Sequence, residues 1–209
     1  FIANGSEPWS YPKAVDLPKI TPRFADPEKS LDDGAYYPYR RNADLVREWA
    51  IPGMENLQHR VGGLEKENET GNVSYDPHNH ELMVKIRQEK VDLIANDIPE
   101  QELAQGESQG KLLVLGWGST YGAIRTAVRE AMEEGHKVSQ AHLRYISPFP
   151  KNLGDLLSCF DQVLIPEMNN GQLIHLINAK YGSGAIGLNK IQGMPFASRE
   201  IKERILELV

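Results

Sequence analysis

The sequence predicts an α/β fold: a three-layer α/β/α sandwich on a mainly parallel five-stranded sheet over residues 111–209, preceded by an irregular arm and a helix over residues 1–110. Three observations carry this. Short apolar runs alternate with helix-length amphipathic segments after Gly110, prolines crowd the first quarter, and a polar stretch separates the two regions.

Pro8, Pro12, Pro18, Pro22, Pro27, Pro38 and Pro52 each remove a backbone donor and fix φ, so the first quarter should be extended and irregular. Weak helical signals occur over Asp44–Ala50. They become firm after Tyr75, where Asp76 can cap, Pro77 suits the first helical position, and Leu82, Met83, Ile86, Leu93 and Ile94 recur at helical spacing. A helix over 77–95 follows. Gln, Glu, Ser and Gly over 99–110 read as a surface linker, with a domain boundary near Gly110.

Lys111–Leu115 reads as a buried strand. Ala123, Ile124, Ala127, Val128, Ala131 and Met132 form the stripe of the next helix, which Gly135 stops as a C-cap. Lys137–His142 is a second strand. Leu153, Leu156, Leu157 and Phe160 mark a second helix, Gln162–Pro166 a third strand and Gly171–Tyr181 another helix. Ile186–Gln192 suits a last strand, and Ile201, Ile205 and Leu208 mark a terminal helix that Ser198 can cap.

Composition excludes several functions. Residues 1–110 carry 20 acids against 12 bases, and residues 111–209 carry 9 against 11. Such a balance offers no concentrated basic surface for nucleic acid. No run approaches the roughly 18 apolar residues of a membrane span, and no signal peptide is visible, so the chain is expected to be cytoplasmic. The single Cys159 cannot form an internal disulfide or supply the thiolates of an iron–sulfur cluster, and it is expected to be a buried structural thiol. Phe1 stands where a Met would begin a whole protein, and Phe1–Asn4 reads like the tail of a strand followed by a turn. A piece of a longer protein is the expectation.

Two segments are candidate sites. Gly116-Trp117-Gly118-Ser119-Thr120-Tyr121-Gly122 joins a strand to a helix, so its backbone N–H groups can either bind an anion or form only a tight, capped turn. Gly116, Gly118, Ser119 and Thr120 are the residues in question. A dinucleotide site would need an acid at the end of the second strand, where Val138-Ser139-Gln140-Ala141-His142 has none. The other segment, Glu167-Met168-Asn169-Asn170-Gly171-Gln172, follows the third strand at the carboxyl edge where α/β folds place ligands and interfaces. Glu167, Asn169 and Gln172 suit either a cap for the following helix or a partner contact. His78 and His80, two apart in a first helical turn, point to different sides and do not form a metal site.

Several blocks together resemble the alpha subunit of 2-oxoglutarate (2-oxoacid):ferredoxin oxidoreductases. Phe1-Ile2-Ala3-Asn4 through Glu7-Pro8-Trp9 is similar to the exit of that family's pyrimidine-binding domain. Gly62-Gly63-Leu64-Glu65-Lys66 and Gly71-Asn72-Val73-Ser74-Tyr75-Asp76-Pro77-His78-Asn79-His80 resemble its linker signature, with Lys66 where many relatives have His. Trp117–Gly122, Arg144, Pro148-Phe149-Pro150, Glu167-Met168-Asn169 and Gly171-Gln172-Leu173 resemble its next domain, which is like the C-terminal domain of transketolases.

The resemblance implies an intact enzyme that oxidatively decarboxylates a 2-oxoacid with coenzyme A and ferredoxin. Thiamine diphosphate, magnesium and iron–sulfur clusters would then be held by the upstream alpha-subunit domain and a separate beta subunit. It implies no catalytic residue, cofactor or metal ligand in these 209 residues, which would serve as scaffold and interface. Two other readings compete: a free-standing nucleotide or anion-binding module built on the Gly116–Gly122 turn, and a domain that associates with itself as a homodimer.

Overall fold

The computed structural model describes residues 13–209, and the reading of Phe1–Asn4 lies outside them. Two compact units are present, residues 13–97 and residues 98–209.

The first unit is mostly irregular, as its prolines dictate. A 3₁₀ turn at Ala14–Asp16 is followed by a two-residue antiparallel hairpin, β1 (Leu31–Asp32) with β2 (Ala35–Tyr36). Isolated bridges join Phe24 to Trp49, Tyr39 to Glu69, Arg41 to Arg47 and Lys66 to Val73. Asp44–Ala50 is not helical. Asn42 Oδ1 accepts from the N–H groups of Asp44 (3.0 Å) and Val46 (2.9 Å), and this local turn diverts the backbone into the Arg41–Arg47 bridge.

Helix α1 spans Pro77–Leu93, with Asp76 Oδ1 accepting from His78 N (3.0 Å) and proline in the first turn. Of its expected apolar stripe only Met83 is fully buried, and Leu82 and Ile94 remain exposed. A buried amide ties the helix to the irregular chain: Asn79 Oδ1 accepts from Asn68 N (2.9 Å), and Asn79 Nδ2 donates to the Lys66 carbonyl (3.0 Å).

The second unit is the α/β sandwich. Its strands are β3 (Leu103–Gln105), β4 (Gly110–Trp117), β5 (Val138–Leu143), β6 (Phe160–Glu167) and β7 (Ile186–Asn189), in the order β3-β5-β4-β6-β7. All pairs are parallel except β3 with β5. Helices α2 (Tyr121–Glu133), α3 (Leu153–Ser158), α4 (Gln172–Tyr181) and α5 (Ser198–Leu208) cover both faces.

Alternation along β4 explains the layers. Leu112 and Val114 join Ile124, Ala127 and Val128 of α2 and Ile201 and Ile205 of α5. Leu113 and Leu115 face the other way, onto Leu153 and Leu157 of α3 and Leu173 and Ile177 of α4. A central strand buried on both faces reads as a continuous apolar run, as a parallel sheet requires.

Several sequence expectations are corrected. The supposed linker 99–110 belongs with the second unit and carries edge strand β3, too short and too polar to show a period. Gly106 in it adopts φ +95°, and a Cβ there would lie 2.6 Å from Ser139 Cα. Only glycine permits that approach. Met132 stays 40% exposed at the rim of the α2 stripe. Phe160 starts β6 and does not extend α3. Cys159 is exposed, because α3 ends at Ser158 and turns the thiol outward. Ser198 is the first residue of α5, and the N-terminal bond comes from Ala197 N to Glu200 Oε2 (2.7 Å).

Replacing Asn79 with Ala leaves the Asn68 N–H and the Lys66 carbonyl without their side-chain partner. The loss should be about 1–3 kcal/mol. Chemical denaturation of the Asn79→Ala protein checks this, and limited proteolysis should cut faster within residues 60–75 than in the parent.

Candidate functional site

Chain path places the site. From β4 the chain runs into α2 on one face, whereas from the adjacent β6 it runs into α4 on the other. The carboxyl ends of β4 and β6 therefore form a topological switch point, the usual ligand crevice of an open α/β sheet. Both candidate segments lie there, brought together across roughly fifty residues of sequence: Trp117 Nε1 donates to Glu167 Oε1 (3.3 Å), and Ser119 Oγ lies 3.8 Å from Met168 Sδ.

The Gly116–Gly122 turn is closed by its own groups. Thr120, nearly buried, donates from Oγ1 to the Trp117 carbonyl (2.9 Å) and accepts from Trp117 N (3.3 Å). Gly118 adopts φ +58° with open space around it, so it supplies a left-handed conformation alone. Gly116 is the sterically constrained glycine. A Cβ there would meet Ile124 Cδ1 at 2.5 Å and His142 Nδ1 at 3.0 Å.

Glu167 is fully buried at the end of β6. Its Oε1 accepts from Leu173 N (2.8 Å) and its Oε2 from Ile174 N (3.1 Å), in the first turn of α4. The helix N-terminus thus receives an internal anion. The cap position itself is Gly171, at φ +89°, which has no side chain to offer. Asn169 Oδ1 accepts from Gly171 N (2.7 Å) and Gln172 N (2.9 Å), closing the approach to the helix. The Gln172 side chain is exposed.

His142, on β5 beside the turn, packs edge-on to Tyr121 with ring centroids 5.0 Å apart. Its Nδ1 is buried without a partner. Burial first, and then the Arg144 charge, push its pKa from 6.5 to about 4, while a hydrogen bond to the Gly118 backbone opposes the shift. A cavity of about 420 Å³ opens beside it, lined in part by Gln101, Tyr121 and Arg144.

In the first unit, His80 Nδ1 pairs with Glu65 Oε2 (2.7 Å), and that bond first holds the Glu65 carboxyl below its ordinary range. No group of three His, Cys, Asp or Glu side chains suited to a metal occurs among the described residues. No helix among them is long and apolar enough to cross a membrane. One feature had no sequence signal: basic residues scattered between 23 and 66 line two adjoining cavities of the first unit.

The α/β domain with this carboxyl-edge arrangement is the part of the chain that matches, over residues 110–203, the family model described as pyruvate:ferredoxin oxidoreductase core domain II. The chain is 44% identical to the 2-oxoglutarate oxidoreductase subunit KorA of Mycobacterium tuberculosis over 96% of this chain and 30% of that protein. It is 27% identical to the 2-oxoacid:ferredoxin oxidoreductase 1 alpha subunit of Sulfurisphaera tokodaii over 100% of this chain and 33% of that one. A solved 2-oxoglutarate:ferredoxin oxidoreductase from Magnetococcus marinus, with 2-oxoglutarate, coenzyme A and succinyl-CoA bound, superposes with a TM-score of 0.83 at 30% identity. The match covers 94% of this chain and 34% of that one. The chain belongs to the alpha-subunit family of these 2-oxoacid:ferredoxin oxidoreductases, as a C-terminal part that spans about a third of the relatives' length.

Two outcomes follow from the site. Glu167→Ala strands two helix N–H groups and an indole N–H in a dry interior and should cost about 3–5 kcal/mol by chemical denaturation, with Glu167→Gln intermediate. For His142 the folded pKa lies below the unfolded one. Between pH 6.5 and about 4 the unfolded chain therefore takes up a proton that the folded chain refuses, and stability falls as pH falls through that window. With partial exposure discounted, the loss from pH 7 to pH 5 should be about 1–2 kcal/mol. Unfolding at both pH values should show a smaller loss in His142→Gln than in the parent.

Proposed function

We propose that this chain is a non-catalytic scaffold and interface portion of a thiamine-diphosphate-dependent 2-oxoacid:ferredoxin oxidoreductase alpha subunit. The intact enzyme would oxidatively decarboxylate a 2-oxoacid, 2-oxoglutarate by similarity to the relatives, giving an acyl-CoA and reduced ferredoxin. The observation that carries the scaffold role is the state of the switch point. Glu167, Asn169 and Thr120 direct their polar atoms to the domain's own backbone, so the edge where α/β domains ordinarily hold ligands is closed by internal bonds.

The donor set of the described residues suits neither an iron–sulfur cluster nor a bound metal ion. One cysteine cannot hold an iron–sulfur cluster, and no three-residue metal-ligating group is present among the described residues. Thiamine diphosphate, magnesium and the clusters would sit on the upstream alpha-subunit domain and the beta subunit, which are the proposed partners along with ferredoxin and coenzyme A. A cytoplasmic location accords with this assembly. The exposed Gly118 and Gln172 at the sheet edge would meet another part of the enzyme.

The 209 residues alone should show no 2-oxoglutarate-dependent reduction of a viologen dye. Adding the upstream domain alone should leave the rate at zero, and adding the beta subunit as well should restore turnover. Dye reduction by the chain alone would overturn the scaffold assignment.

A further inference from the structure

The first unit holds two adjoining cavities, of about 590 and 640 Å³, that share Tyr36, Arg47 and Glu48. Each lies in the size range of small-molecule sites. Seven Lys and Arg side chains line them against one carboxylate, Glu48. Lys29 and Arg40 are paired with Asp26 and Asp32. Arg23, Arg41, Arg47, Arg60 and Lys66 have no ion pair among the described residues.

Lys66 is the most telling of these. It is only 5% exposed, yet its ammonium has neither a carboxylate nor a hydrogen-bond acceptor among the described residues. It sits against the Gly62 loop, where a built Cβ would lie 3.9 Å from Nζ, and Gly62 and Lys66 line the same cavity. Its side chain is packed along its length while the ammonium itself stays accessible at the cavity wall, where an anionic ligand can reach it.

Arg41 and Arg47 bring like charges together independently of Lys66. They stand opposite each other in an antiparallel bridge, an arrangement that like charges disfavour. Both guanidinium groups also approach the Tyr39 ring, at 5.8 and 4.2 Å from its centroid. Ring and carbonyl contacts hold them in place without neutralising them: Arg41 Nη1 donates to the Tyr39 carbonyl and to Asn68 Oδ1, each at 2.7 Å. Burial first, and then the Arg47 charge, hold the Arg41 guanidinium below its ordinary pKa.

We propose that these cavities form a binding site for a phosphate- or diphosphate-bearing small molecule, with Lys66, Arg47 and Arg60 meeting its anionic oxygens. A phosphate fits better than a single carboxylate because it brings up to two charges to several unpaired cations, and guanidinium forks match its oxygens. The walls also offer aromatic surface for an attached ring system. Tyr36 packs edge-on to His59 at 5.4 Å, and Trp49, 69% exposed, leans on Phe24. Glu48 sits at the junction with its Oε2 engaged by Ser30 Oγ. This site is independent of the scaffold role proposed above.

Calorimetry on the full 209-residue chain at low ionic strength tests it, with inorganic phosphate, pyrophosphate and ADP as separate probes. Saturable binding of pyrophosphate is expected, weakened at least tenfold by Lys66→Met and by Arg60→Met, and unchanged by Lys202→Met in the other unit. Tighter binding of ADP than of pyrophosphate would identify the source as a nucleotide, and equal binding would place the recognition in the phosphates alone. Circular dichroism reports whether Lys66→Met folds. If it does not, the exposed Arg60→Met carries the test. Failure of all three probes to bind, as an acidic protein segment for an occupant would produce, overturns the proposal. So does binding that is indifferent to the variants.

Discussion

The α/β unit depends on one buried carboxylate. Glu167 ends β6, accepts from two N–H groups in the first turn of α4 and receives the Trp117 indole from the end of β4. Burying an ion is unfavourable unless its oxygens are satisfied, and here the helix N-terminus and the indole satisfy them. One side chain thereby fixes where α4 starts, how it meets the sheet, and how the neighbouring β4 turn lies. Glycine at the cap position follows from this, because a side chain at Gly171 would approach Ile174 Cγ2 to 2.9 Å.

That internal anion has a functional consequence. Helix N-termini at a switch point are ready anion sites, and this one already holds the protein's own carboxylate. The neighbouring turn is likewise closed by Thr120 and packed so tightly at Gly116 that a methyl group would strike Ile124 and His142. An α/β domain of this kind keeps its architecture while acting, as proposed, through surfaces presented to other parts of an enzyme.

The first unit follows a different logic. Its buried apolar side chains are few, Ala25, Leu57 and Met83 among the described residues, so much of its order comes from polar ties and rings. Asn79 pins the loop that carries Lys66, and Tyr39 lies against Arg41 and Arg47. The result is a concentration of positive charge in a part of the chain where acids outnumber bases.

Elements with a clear apolar period were legible in the sequence: the run Leu112–Leu115 as a core strand, the Ile124, Ala127, Val128 and Ala131 stripe as α2, and the Asp76-Pro77 start of α1. Local chemistry sufficed there, because side-chain period and caps act within a few residues. Strand β3 was not legible, since three residues clasped to β5 have no period of their own. Nor was the exposure of Cys159, which depends on where a short helix ends. Both candidate segments could be named from sequence, yet only the tertiary structure decided that they meet and close on each other, because strand order sets the β4 and β6 ends side by side. The gathering of Arg41, Arg47, Arg60 and Lys66 was likewise decided by folding alone: charge along a chain fixes a balance, and proximity in space fixes a field.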